Sequence, residues 1–274
     1  MSRFNGKTVV ITGASSGIGE SCARKFVREG AHVVLAARSK EPLDRLAAEL
    51  GNEVTEAVPT DISDVAQCKN LLQRAVSRFG SVDILVNNAG HNARGDFEHL
   101  PLEEMLQMLA VNIRAPMVLT RLALPTMRSQ GSGSVVNVAS LAGRIPLDEE
   151  ATYSATKFAL RIFSFAVAEE LRDSGIRISV VSPGPVDTGF ITDPSVIDEV
   201  PPIVFAQPMS TADEIADLVL DSAADGARER SKPAFSAKLA TLGYLAPGLR
   251  KVLMPLMNRT GAREKKKYLE RNRG

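Results

Sequence analysis

Tyr153 and Lys157 stand four residues apart in Tyr153-Ser154-Ala155-Thr156-Lys157. On a helix that spacing puts both side chains on one face. A free tyrosine hydroxyl titrates near ~10 and gives up its proton reluctantly at neutrality; an adjacent ammonium favours the phenolate and is expected to lower that value. So paired, Tyr153 would serve as a general acid toward a carbonyl oxygen, or as a base toward an alcohol. Ser140 closes the apolar run Val135-Val136-Asn137-Val138-Ala139, where its hydroxyl could hydrogen-bond a substrate carbonyl and polarise it. Taken alone, a tyrosine and a lysine at this spacing also describe the surface of any amphipathic helix.

A second group of residues lies near the N-terminus. Thr12-Gly13-Ala14-Ser15-Ser16-Gly17-Ile18-Gly19 follows the apolar run Val9-Val10-Ile11 and precedes a helical pattern. A strand, a glycine turn and a helix together present backbone N–H groups to a phosphate. The spacing is not G-x-G-x-x-G, but the same roles are available. Gly13 permits the tight turn, Gly17 lets the backbone approach a pyrophosphate, and Gly19 allows close helix–strand packing. The next strand ends Leu35-Ala36-Ala37-Arg38-Ser39. It lacks the carboxylate that an NAD site places on the ribose 2′-hydroxyl. Arg38 instead suits a 2′-phosphate, with Ser15, Ser16 and Ser39 as further donors. The expected cofactor is therefore NADP(H). An ordinary glycine-rich turn and a solvated arginine are the bland readings of the same residues.

The elements that must position these groups alternate along the chain. Strand-length apolar runs fall at Thr8–Ile11, His32–Ala36, Glu53–Pro59, Ile84–Asn87, Ser134–Ala139 and Ile176–Ser182. Several are continuous rather than alternating, as expected for strands buried on both faces. Amphipathic segments lie between and after them, at Gly17–Glu29, Glu41–Leu50, Asp64–Phe79, Leu102–Ser129 and Thr152–Ser174. Pro116 and Pro125 are expected to bend or end parts of the fourth helix. This order predicts a parallel, doubly wound α/β sheet with right-handed crossovers, formed as one domain over residues 1–274. Residues 190–210, rich in proline, read as a loop or flap. Ser210 or Thr211 would cap a helix running to about Ala224, and Lys232–Ser236 would form a last edge strand.

Composition narrows the class. The chain has 274 residues, 44% hydrophobic and 24% charged, with a net charge of +1. That balance gives no electrostatic argument for nucleic acid. Cys22 and Cys68 show neither a disulfide framework nor metal-ligand spacing, and read as buried thiols of a reducing compartment; no metal is expected. The first strand starts at about Lys7, which leaves no room for a signal peptide, so a cytoplasmic protein is expected.

The chain resembles the short-chain dehydrogenase/reductase family from Lys7 to about Thr188. The resemblance rests on Thr12-Gly13-x-x-x-Gly17-x-Gly19, Asp61 with Ile62, Asn87-Asn88-Ala89-Gly90, Asn112, Ser140, Tyr153-x-x-x-Lys157 and Pro183-Gly184-Pro185-Val186-x-Thr188, in the family's order. It implies a Rossmann-type sheet of about seven strands in the order 3-2-1-4-5-6-7. It implies a catalytic tetrad of Asn112, Ser140, Tyr153 and Lys157. In that scheme Tyr153 donates the proton, Lys157 binds the nicotinamide ribose, Ser140 orients the carbonyl and Asn112 holds a relay water. It also implies Asp61 and Ile62 at the adenine, Asn87 near its ribose, and Val186 with Thr188 at the carboxamide. Ile18, Ala89, Gly90, Pro183 and Gly184 complete the cofactor-binding positions. Asn112, a short amide in mid-helix, is read from its own chemistry as holding a kink or a water.

The implied activity is NADPH-dependent reduction of a ketone or aldehyde, or oxidation of the secondary alcohol, on a small-molecule substrate. The family's pocket segments here supply His91, Asn92, Arg94, Leu141, Ile145, Leu147, Phe190, Ile191, Val204 and Phe205. This mostly apolar set points to a hydrophobic carbonyl. Arg94 and Arg121 keep a 3-oxoacyl-carrier-protein-type substrate open. An NADP-binding regulatory or scaffold protein is the reading from another class. The family also implies a homodimer or homotetramer built on the helices of Asn112 and Tyr153. The C-terminal extension, residues 237–274, is apolar to Met257 and then basic, with seven Lys or Arg against two Glu in 259–274. Its prolines and charges argue against a spanning helix. A helix covering the core, a flap over the pocket and a peripheral membrane contact all fit it.

Overall fold

Residues 2–272 are described by a computed structural model. Six strands rise in the first two-thirds of the chain: β1 (Thr8–Thr12), β2 (His32–Ala37), β3 (Thr55–Pro59), β4 (Ile84–Asn87), β5 (Gly133–Val138) and β6 (Ile176–Pro183). Two-residue strands β7 (Val186–Asp187) and β8 (Ser210–Thr211) pair only with each other, and β9 (Glu229–Lys232) returns to the main sheet. That sheet is parallel throughout, in the order β3-β2-β1-β4-β5-β6-β9, the seven-strand doubly wound arrangement the sequence predicts.

The strands are apolar at both parities because both faces are covered. Val9, Ile11, Val33, Leu35, Val86 and Val136 pack on one side with α1 (Gly17–Arg28), α2 (Lys40–Leu50) and α8 (Ala212–Asp225). Val10, Val34, Leu85 and Val135 pack on the other with α3 (Val65–Phe79) and α5 (Ala115–Ser129). The remaining helices are α4 (Leu102–Leu109), α6 (Ala151–Glu170), the one-turn α7 (Gly189–Thr192), α9 (Ala234–Leu245) and α10 (Pro247–Asn272). Thr211 caps α8 through a capping box with Glu214.

Besides shifts of one or two residues at other ends, three elements differ from the sequence expectation. The segment 102–129 is not one helix bent at prolines: it is interrupted by a π-helical turn over Ala110–Arg114, before Pro116, while α5 runs through Pro125. The helix after Ser140 stops at Glu170 rather than Ser174. The edge strand is Glu229–Lys232, not Lys232–Ser236, because Pro233 caps α9 and cannot extend the ladder. β9 hides from a hydrophobicity reading because its sequence is polar. Glu229 is held by Arg144, Arg161 and Ser182 instead of by apolar packing. Among the described residues no helix is long and apolar enough to cross a membrane.

Candidate active site

A cleft of about 680 Å³ opens at the carboxyl ends of β1, β2, β4, β5 and β6, where ligands bind in open α/β sheets. At one end lies the glycine turn. Gly13 has φ +66°, and a Cβ there would sit 2.9 Å from the Ala89 backbone. Gly19 does not line the cleft. It packs α1 on the turn itself, where a Cβ would fall 2.1 Å from the Gly13 carbonyl oxygen. Thr12 Oγ1 accepts from the Asn88 and Ala89 N–H groups at 3.0 and 3.1 Å, and Asn88 Nδ2 donates to the Thr12 and Gly13 carbonyls at 3.0 and 3.2 Å. The β4 end therefore braces the glycine turn. The sequence shows Asn88 within its motif but does not indicate these contacts.

Ser15, Ser16, Gly17, Ile18, Arg38, Ser39, Asp61, Ile62, Ala89 and Gly90 line this end. Arg38 is exposed at the rim, and among the described residues no carboxylate pairs with it. Asn87 is the exception among these positions. It is buried beneath the cleft, where its Nδ2 donates to Asn137 Oδ1 at 2.8 Å and faces Thr120 Oγ1 at 3.4 Å. Its amide ties β4 to β5 and α5 and does not reach the cleft; Asn88, next in sequence, does.

Pro183, Gly184, Val186 and Thr188 wall the middle of the cleft, where Ser140, Tyr153 and Lys157 meet. Ser140 accepts from the Ala142 N–H at 3.1 Å and so caps the short turn Leu141–Gly143. Gly143 lets that turn rest on α6, since a Cβ there would lie 2.7 Å from the Lys157 carbonyl oxygen. Lys157 Nζ donates to the Val138 carbonyl at 3.0 Å and stands 5.7 Å from the Tyr153 ring centroid. Burial alone drives the Lys157 ammonium down to about 8. The expected depression of Tyr153 is not what this geometry gives. Burial raises the phenol well above its ordinary value, Glu150 raises it further, and a hydrogen bond from Ser140 with the charge of Arg94 opposes them. Desolvation outweighs the charge of Arg94.

Asn112 is also off the cleft surface. It sits in the π turn, 1% exposed, with its Oδ1 accepting from the His91 N–H and its Nδ2 donating to the His91 carbonyl, each at 2.8 Å. The same Nδ2 reaches Thr156 Oγ1 at 3.2 Å. Its side chain thus clasps the loop after β4 to α6.

The far end of the cleft is more polar than the sequence expectation. His91, Asn92, Arg94, Leu141, Leu147, Phe190, Ile191 and Val204 line it as expected, together with Gln107, Asp193 and Gln207. Ile145 and Phe205 do not. Arg144, next to Ile145, reaches away to Thr241 and Glu229, and the loop returns to the cleft only at Leu147. Phe205 is buried with Ile197, Val200 and Tyr268 behind the wall. Arg94 is no solvated arginine: it is 5% exposed, paired with the equally buried Glu150 at 3.0 Å, and it donates to the Phe190 carbonyl at 3.3 Å. Arg121 lies outside the cleft.

Residues 7–195 match the short chain dehydrogenase family. The chain is 37% identical over 190 residues to an uncharacterised oxidoreductase of Staphylococcus aureus strain USA300, covering 69% of this chain and 82% of that protein. It is 40% identical over 196 residues to the ketoacyl reductase HetN of Nostoc sp. strain PCC 7120, covering 70% and 68%. Its fold is similar to the crystal structure of 3-ketoacyl-(acyl-carrier-protein) reductase from Brucella melitensis complexed with NADH, at TM-score 0.74 and 32% identity, over 83% of this chain and 98% of that one. The chain belongs to the short-chain dehydrogenase family and is an oxidoreductase of that family.

Proposed function

We propose that the protein is an NADPH-dependent reductase of ketones or aldehydes, able to run in reverse on the secondary alcohol. The observation that carries this reading is the convergence of Ser140, Tyr153 and Lys157 in one cleft, with the glycine turn and Arg38 at its other end. The cradle fits a dinucleotide. Gly13 and Gly17 present backbone without side chains to the cleft, and Arg38 with Ser39 at the same end would hold a 2′-phosphate. When bound, the nicotinamide supplies the hydride.

The chain's own groups handle the proton. The Ser140 hydroxyl donates to the carbonyl oxygen and draws charge toward it. Tyr153, held as the neutral phenol by burial and Glu150, passes its proton to that oxygen as it becomes an alkoxide, the stronger base. Lys157 faces the ring and stabilises the phenolate that remains. Asn112 acts as a positioning residue through His91 and Thr156.

A 3-ketoacyl thioester is the second reading, supported by the two ketoacyl reductases among the similar proteins. A homo-oligomer is proposed on the face bearing exposed Leu102, Leu106 and Leu109 of α4, Met117 of α5 and Ile162 of α6. The deciding experiment follows NADPH absorbance over a panel of ketones, aldehydes and 3-ketoacyl thioesters. Turnover by the parent, its loss in Tyr153→Phe and retained NADPH binding in that variant are expected. Silence over the whole panel with tight NADPH binding would instead favour a regulatory NADP-binding protein.

A further inference from the structure

The strands β7 and β8 pin the two ends of the segment 188–209, with Val186 opposite Ser210. The inner side of this segment gives Phe190, Ile191, Asp193, Val204 and Gln207 to the cleft. Its outer side is covered by α10, which lies beyond the stretch matched to the family. Gly261 lies so near the segment that a Cβ on it would fall 1.8 Å from the Pro202 carbonyl oxygen. Lys265 Nζ donates to the Asp198 and Val200 carbonyls at 2.9 and 2.8 Å. Those carbonyls belong to the short turn Ile197–Glu199 and to Val200, the residue that follows it. Tyr268 packs its ring 5.9 Å from that of Phe205 and reaches Asp187 beside β7 at 3.5 Å. None of these three α10 residues lines the cleft; they hold what does.

We propose that α10 is the specificity-determining wall of this enzyme. Through Gly261 and Lys265 it fixes the backbone of 197–207, and so sets how far Val204 and Gln207 stand from Tyr153 and how long a carbonyl substrate the cleft accepts. The proposal rests on the reductase reading above. Its opposite, a segment that shapes itself around each substrate, would leave α10 indifferent to substrate length.

Gly261→Ala separates the two. Alanine favours helix over glycine, so α10 does not melt; only its clearance to Pro202 changes. Lys265→Met removes the carbonyl ties by a second route. Two measurements on the parent and both variants decide the matter: amide hydrogen exchange over 197–207, and kcat and KM for straight-chain ketones of increasing length. In the variants, exchange in the segment is expected to rise at least about tenfold, and the KM ratio of the longest to the shortest accepted ketone to shift about tenfold. NADPH affinity and kcat for the shortest ketone should hold. Unchanged exchange, or an unchanged KM ratio, overturns the proposal. If the parent turns over no ketone, the reductase reading falls and the specificity role falls with it, while the exchange rates still report whether α10 restrains the segment.

Discussion

In the proposed reading the choice of coenzyme turns on Arg38. It directly follows β2 at the rim of the cleft, and among the described residues no carboxylate pairs with it, so its charge is available to a 2′-phosphate. Arg38→Ala is expected to weaken NADPH binding at least about tenfold more than NADH binding. Titration of both coenzymes by fluorescence checks this, and an equal loss removes Arg38 from the role. Lys157 makes a different statement. Burial holds its ammonium at about 8, below an ordinary value near ~10.4. Below about 8 the native state carries the full cost of burying the charge, roughly 3 kcal/mol. Between about 8 and ~10.4 the unfolded chain binds the proton more readily than the native one, so this site adds stability as pH rises. Lys157→Met removes that dependence. Relative to the parent, the variant should be most favoured at neutral pH and lose up to about 3 kcal/mol of that advantage by about pH 10. Urea midpoints at the two pH values measure the gap, and a constant gap contradicts the assignment.

At the scale of elements, the Arg94–Glu150 pair joins the loop after β4 to the start of α6 and, through the Phe190 carbonyl, to α7. Both partners are buried, so removing one strands the other. Arg94→Met is expected to cost about 3–5 kcal/mol of unfolding free energy, and Arg94→Met with Glu150→Gln to recover most of it. Denaturant melts of the single and double variants test this coupling. Neither residue's burial is legible in sequence, where Arg94 reads as one more surface arginine. The strands and helices were legible because burial on both faces leaves unbroken apolar runs such as Val9-Val10-Ile11. Two elements were not. The π turn at Ala110–Arg114 is marked only by Asn112, whose mid-helix amide suggests a kink or a water without giving the turn's extent, and β9 is held by ion pairs rather than apolar packing.

The whole molecule adds what no segment carries alone. Leu102, Leu106 and Leu109 repeat at helical spacing on the outside of α4, and Ile162 of α6 is exposed as well. If this face closes the homo-oligomer proposed above, Leu106→Asp should lower the mass seen by light scattering to that of one chain; an unchanged mass would move the contact elsewhere. Ser140, Tyr153 and Lys157 could be named from the sequence because their motifs are local, and the fold brings them to one cleft. Ile145 and Phe205 were misplaced because the direction of a side chain in a loop depends on neighbours far along the chain: Thr241 and Glu229 for the loop of Ile145, Tyr268 for Phe205. That dependence reaches further. The glycine turn, Ser140, Tyr153 and Lys157 all fall inside residues 7–195, while Val204, Gln207 and the helix behind them fall outside. Two proteins alike over the shared stretch can therefore keep one chemistry and part company over what they reduce. The molecule has a common front and a private back, and kinship in the first is silent about the second.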